Sequence, residues 1–246
     1  MSTYGDPQGA LRILHDDATL VSVSKPGGLI VHRTAESNDR RFLLQELGRQ
    51  LGTFLYPVHR LDRAASGVMV FGRDSASARA LQEALAAEDA RKEYLVLVRS
   101  STPESWTSVR PLSKRRTRGA RRAAHGRPKD VPVRQEASTS FVKVGEFSRC
   151  SLLKARLHTG RRHQIRRHLA HEAHQVLGDT TYGKGKINHF FRAQYGLPRL
   201  FLHACLLEFR HPKTATLIRL DDPLAPDLRE FLGRLPDCPE EILRSL

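Results

Sequence analysis

The chain has 246 residues, with 41 Lys+Arg against 26 Asp+Glu, a formal net charge of +15 and a sequence pI near 10.4. Hydrophobic residues make up 39%, enough at this length for a sizeable core, so the chain as a whole is not disordered. Its apolar runs span only a few residues, too short to cross a bilayer, and the excess of positive charge points to a polyanionic partner, nucleic acid before membrane.

In chain order, Thr19 to Val23 alternates as a short strand and ends in the turn Lys25-Pro-Gly-Gly28. Arg40 to Leu51 carries Phe42, Leu43, Leu44, Leu47 and Leu51 at helical spacings and closes near Gly52. Tyr56-Pro-Val58 leads into a polar loop, His59 to Gly67, and Val68-Met-Val-Phe71 leaves it as a buried strand. Asp74 or Ser75 caps a second helix with Ala80, Leu81, Ala84 and Leu85 on one face. Tyr94 to Val98 is a further strand. Residues 110–134 then hold ten Lys or Arg, one acid (Asp130) and no apolar periodicity, so 113–129 is expected to be a flexible basic loop.

Strand signals resume at Thr139 to Val144 and Cys150 to Leu157. Arg161 to Glu172 can be helical, with Ile165 and Leu169 on one face, and Gly178 to Gly183 is a loop. Leu200 to Phe209 is a long, mainly apolar stretch, broken by His203 and Glu208, and reads equally as helix or strand. His211-Pro212 turns into a last strand, Thr216 to Leu220, and Leu224 to Leu246 suits one or two short helices. Strands and helices mix without regular βαβ alternation, so an α+β fold is expected. Cys150, Cys205 and Cys238 are widely spaced and odd in number, which excludes a disulfide framework and a CxxC zinc site. With no secretory signal in the first ten residues, the expectation is reduced thiols in a cytoplasmic protein.

Three segments combine charge with constrained backbone. In His59-Arg60-Leu61-Asp62-Arg63-Ala64-Ala65-Ser66-Gly67 an aspartate stands between two arginines, which favour its ionised, nucleophilic form; an ordinary surface loop would look the same. Arg91-Lys92-Glu93-Tyr94 opens a strand with a ring that can pack in a core or stack on a base. His158 to His174 holds five histidines in 17 residues, but four arginines crowd them and HExxH spacing is absent. That composition suits phosphate or carboxylate contacts better than a metal.

Together these motifs resemble the RluA-type pseudouridine synthases. The resemblance rests on Lys25-Pro26-x-Gly28-x-x-Val31-His32, His59-Arg60-Leu61-Asp62-x-x-x-Ser66-Gly67, Lys92-x-Tyr94 and Thr159-Gly160-Arg161-x-His163-Gln164-Ile165-Arg166-x-His168. It continues through Leu177-Gly178-Asp179-x-x-Tyr182-Gly183 and Leu202-His203-Ala204 to His211-Pro212, in family order from residue 11 to about 220. Ala65 departs from a pattern that often has Thr. An insertion, Lys184 to Arg199, is similar to the branch of the family that modifies uridine 65 of certain tRNAs.

The resemblance implies a mixed, mainly antiparallel sheet with flanking helices around an RNA-binding cleft, in one catalytic domain over 1–246 with no S4-type domain. It implies isomerisation of uridine to pseudouridine with no cofactor and no metal. Asp62 would be the nucleophile and Arg166 its partner. Tyr94 would stack on the target base and help remove its C5 proton, and Arg60 would fill the space of the flipped nucleotide. The expected partner is tRNA or another structured RNA, bound by a monomer that needs no protein partner and no membrane. An rRNA target, or a non-catalytic RNA-binding role, is the alternative. Neither a carboxylate cluster for metal nor a P-loop supports a nuclease or phosphotransferase.

Overall fold

The computed structural model describes residues 9–32, 39–113 and 133–246. The basic segment expected at 113–129 therefore lies, apart from Ser113, outside the described residues.

β1 (Ile13–Asp16) and β2 (Leu20–Lys25) form a hairpin, followed by α1 (Leu43–Leu51), β3 (Tyr56–Pro57), β4 (Ser66–Gly72), α2 (Ser75–Ala86) and β5 (Arg91–Arg99). β6 (Ser105–Ser108), β7 (Leu112–Ser113) and β8 (Arg134–Gln135) are short. β9 (Thr139–Phe147) and β10 (Cys150–Leu157) lead to α3 (Gln164–His171) and α4 (Gly185–Tyr195). β11 (Leu202–Arg210), β12 (Leu217–Asp221), α5 (Pro226–Gly233) and α6 (Glu240–Ser245) complete the chain.

Ten strands make one sheet in the order β1-β2-β4-β11-β5-β10-β9-β6, with β12 on β11 and β3 on β4. Among the described residues, β7 pairs with β8 in a separate two-stranded sheet. All of these pairings are antiparallel except β4 with β11, where His203 faces Ser66 and Ala204 faces Gly67. This parallel contact positions the site, because the loop carrying Asp62 enters β4 there. Gly67 takes φ 116, and a Cβ on it would collide with the backbone of Ala204, so the two strands meet only because this residue is glycine.

β4 explains why central strands read as unbroken apolar runs. Met69 and Phe71 pack with Leu43 and Leu47 of α1, whereas Val68 and Val70 pack with Leu81 and Leu85 of α2. Both faces are buried, so alternation disappears. The same holds for Leu200 to Phe209: its apolar stretch is β11, between β4 and β5, and its ambiguity comes from burial on both sides. α1 ends at Gly52, which is left-handed (φ 64), and Asp74 caps α2 by accepting from Ser77 N–H at 2.6 Å.

Some boundaries differ from expectation. α1 starts at Leu43 rather than Arg40, and α3 runs only from Gln164 to His171, because His163 and Ala173 both take left-handed backbone. His174 is therefore off the helix that His168 and His171 share. The insertion after Gly183 is largely α4, a helix that the expected elements do not include.

Candidate active site

Asp62 lies in the loop between β3 and β4, and its position is set from beneath. Gly28 N–H donates to the Arg63 carbonyl at 2.8 Å, and Arg63 Nε donates back to the Gly28 carbonyl at 3.1 Å, fastening the Lys25-Pro-Gly-Gly turn to the loop. Lys25, wholly buried, gives its three N–H groups to the carbonyls of Pro26 and Leu29, both at 2.7 Å, and Arg63 at 3.2 Å. Burial, with Arg199 nearby, pushes its pKa down to about 7. Arg199, also buried, binds Asp227 in bidentate fashion at 2.6 and 2.8 Å and donates to the Ala64 carbonyl and Ser66 Oγ. Gly27 leaves room for that guanidinium, where a Cβ would collide with it. Ala65 N–H donates to the Asp62 carbonyl at 3.1 Å and its methyl is buried, so the turn closes without a threonine hydroxyl.

α3 brings the partner. Gln164 fixes its first turn by accepting from Arg161 N–H at 3.0 Å and donating to the Ser138 carbonyl at 2.9 Å. Arg166 then faces two carboxylates. Its Nη1 donates to Asp62 Oδ2 at 2.7 Å, while Nε and Nη2 donate to Asp179 Oδ2 and Oδ1 at 2.7 and 2.8 Å. Asp179 Oδ1 also accepts from Thr181 N–H at 2.8 Å and Tyr182 N–H at 3.0 Å. Burial would raise the Asp179 pKa, but the hydrogen bonds and charge of Arg166 override it and hold the carboxyl below its usual range. Burial would lower Arg166, and Asp179 and Asp62 together raise it above its usual value.

His163 Nε2 lies 3.5 Å from Asp62 Oδ1, and its Nδ1 is 3.1 Å from the Tyr182 hydroxyl. Burial lowers its pKa and outweighs the nearby Asp62 charge. Oδ1 is thus the Asp62 oxygen that Arg166 leaves uncovered. His59 Nε2 accepts from Val70 N–H at 3.1 Å, which puts its proton on Nδ1, and burial with help from Lys92 pushes its pKa down to about 4.

Asp62 stands between two spaces. On one side is an open cleft of about 850 Å³ whose lining includes Arg40, Arg63, Arg162 and Arg192. On the other is a cavity of about 390 Å³ between α2 and α3, lined by Leu85, Tyr94, Ile165 and Leu207 among others. Asp62, Arg60, His163 and Arg166 border both. Burial and the Asp62 charge raise the Tyr94 pKa well above its usual value, so the phenol stays protonated.

Of the residues singled out in the sequence, Asp62, Arg166 and Tyr94 come together at one place, and Arg60 sits exposed at the rim. Arg63 is different. It pairs with Asp39 at 2.8 Å rather than with Asp62, because consecutive loop side chains diverge. The cation holding Asp62 comes instead from a residue 104 positions away. Asn188 of α4 lies in the insertion Lys184 to Arg199 and has no role in the sequence reading: it accepts from Gly178 N–H at 2.9 Å and donates to the Asp179 carbonyl at 2.8 Å, bracing the loop that orients Arg166. Its cue is the stripe Ile187, Phe191, Tyr195, whose spacing of four marks a helix.

A family model described as RNA pseudouridylate synthase matches residues 19–171. The chain belongs to this family. It is an RNA pseudouridine synthase, an isomerase. Similar curated proteins include tRNA pseudouridine synthase C of Vibrio cholerae, 36% identical over 216 residues, covering 83% of this chain and 87% of the relative. The protein of the same name from Haemophilus influenzae is 34% identical and covers 91% of this chain and 97% of its own. Among solved structures, human RNA pseudouridylate synthase domain containing 4 superposes with a TM-score of 0.71 at 25% identity, covering 91% and 92% of the two chains. Among the described residues of the synthase, no helix is long and apolar enough to cross a membrane.

Proposed function

We propose that this synthase converts uridine 65 of tRNA to pseudouridine with Asp62 as its nucleophile. The observation that carries the reading is the placement of Asp62: Arg166 holds one carboxylate oxygen at 2.7 Å where a basic cleft meets an apolar cavity. The names of the similar bacterial proteins supply the tRNA. The likeness of the insertion to the uridine 65 branch supplies the position.

The cleft receives phosphates on Arg40, Arg162 and Arg192. The target nucleotide leaves its stack, at a cost of a few kcal/mol, and its base enters the cavity against Tyr94. Arg60, at the rim, occupies the space it vacates. Arg166 holds Asp62 by Oδ2 and leaves Oδ1 for the substrate. Asp62 bonds to C1′ as the N1–C1′ bond breaks and its electron pair stays on the base. The base turns within the cavity, C5 bonds to C1′ as the Asp62 ester bond breaks, and the C5 proton departs while N1 takes one up, so the product is an isomer. Tyr94, a neutral phenol, can pass that proton on but does not take it as a phenolate. The chain works as one catalytic unit and as a monomer in the cytoplasm under this proposal.

The test is a map of pseudouridine in tRNA and rRNA from cells with and without the gene. Loss confined to position 65 of tRNA supports the reading, and loss confined to rRNA moves the substrate there.

A further inference from the structure

Lys92 lines the same cavity as Asp62 and Tyr94 and has no part in the steps assigned to them. It precedes Tyr94 by two residues on β5, so both side chains leave the same sheet face about 7 Å apart along the strand. Its ammonium is partly buried, and burial lowers its pKa. One N–H goes to the Leu85 carbonyl at 2.8 Å, and among the described residues no carboxylate pairs with it. An ammonium carries three donors, and a cation removed from water without a counter-charge calls for acceptor oxygens. The lining near it includes the hydrocarbon side chains of Leu85, Leu206 and Leu207 and one polar neighbour, His59, whose Nε2 is taken by Val70 N–H and whose Nδ1 carries its proton, so His59 offers Lys92 no acceptor.

The chemistry of the base supplies the acceptor. With C1′ beside Asp62 and the ring on Tyr94, the far edge of uracil is the position para to N1, which is C4 with its O4. When the ring turns so that C5 replaces N1, the position para to C5 is C2 with its O2. A fixed donor at the far end of the cavity therefore meets a carbonyl oxygen before and after the turn. Cytosine would present an amino group there instead.

We propose that Lys92 donates to this far-edge carbonyl, O4 in the substrate and O2 in the product. When the N1–C1′ bond breaks, its electron pair stays on uracil and spreads onto N1, O2 and O4. An ammonium against the far carbonyl stabilises that charge in a site of low dielectric, where it acts more strongly than in water. Lys92 is then a catalytic residue that also selects uracil. The inference rests on placing the target base in this cavity.

The test crosses an atom of the RNA with the side chain. Wild type, Lys92→Gln, Lys92→Met and Asp62→Asn are each given a tRNA with uridine or 4-thiouridine at the modified position, in single turnovers read by nuclease digestion and chromatography, with melting curves alongside. Sulfur accepts hydrogen bonds poorly. The thio-substitution should slow the wild type about 10- to 100-fold, the range of a charge-assisted hydrogen bond. Both Lys92 variants should be slow on uridine and lose no more than about twofold further on 4-thiouridine. Equal slowing by sulfur in wild type and in a folded Lys92 variant overturns the role of Lys92, and so does an unchanged rate for Lys92→Gln on uridine. Turnover by Asp62→Asn overturns instead the placement of the reaction in this cavity.

Discussion

Asp179 takes two of the three carboxylate hydrogen bonds of Arg166, at 2.7 and 2.8 Å, and so fixes the plane in which the third meets Asp62. Asp62 is thus held at one remove, by a buried carboxylate that does not itself line the inner cavity.

Asp179→Asn keeps the shape and removes the charge. Arg166 then gives up half of its buried partnership, and breaking such a pair costs about 3 kcal/mol or more. The variant should melt lower, bind RNA with unchanged affinity and turn over about 10- to 100-fold more slowly, since Asp62 is misoriented and not removed. Melting curves, binding and single-turnover rates measured on one preparation separate these effects.

Tyr94→Phe keeps the stacking surface and deletes the hydroxyl. Binding should be close to normal, and turnover should fall by about 10²- to 10⁴-fold if the hydroxyl relays the C5 proton. A wild-type rate would reduce Tyr94 to a platform.

The open cleft predicts a salt signature. Replacing Arg162 and Arg192 by Ser should lower the log–log slope of affinity against salt by roughly 0.7 to 0.9 for each phosphate left without its arginine. The rate at saturating RNA should stay near that of the wild type. Filter binding from low to moderate salt gives the slope.

His59 gives a pH dependence of stability. Its pKa falls from 6.5 to about 4 in the folded protein, so the unfolded chain takes the proton more readily. Its contribution to stability is complete above pH 6.5, declines as pH falls toward 4 and is gone below that. His59→Gln retains an acceptor for Val70 N–H and cannot titrate in this range. The drop in melting temperature between pH 7 and 4.5 should be smaller in the variant than in the wild type.

Much of this site is legible in the sequence because motifs carry it. Asp62, Tyr94 and Arg166 each sit in a segment singled out by its charge and backbone, and Gly52 marks a helix end; Gly67 reads only as the end of a loop, and its close approach to β11 emerges in the fold. What is not legible depends on distance in the chain. Arg63 adjoins Asp62 in sequence and turns to Asp39, whereas Arg166 arrives from α3. Asp179 appears in a motif, but nothing local says that it faces Arg166. β11 cannot be told from a helix by its pattern, since both of its faces are buried. α4 lacks a capping side chain and begins at Gly185, so its apolar stripe is the only cue.

That Asp62 performs the chemistry is best tested with Asp62→Asn. Asn is nearly isosteric, so the loop held by Gly28, Lys25 and Arg199 should persist, while the charge and almost all nucleophilicity are gone. The measurement is single-turnover release of tritium from C5-labelled tRNA, beside binding and melting of the same preparation. A folded protein that binds tRNA and releases no tritium above background is the expected result. Release within about tenfold of the wild-type rate, a barrier change of only about 1.4 kcal/mol, would rule Asp62 out as the nucleophile.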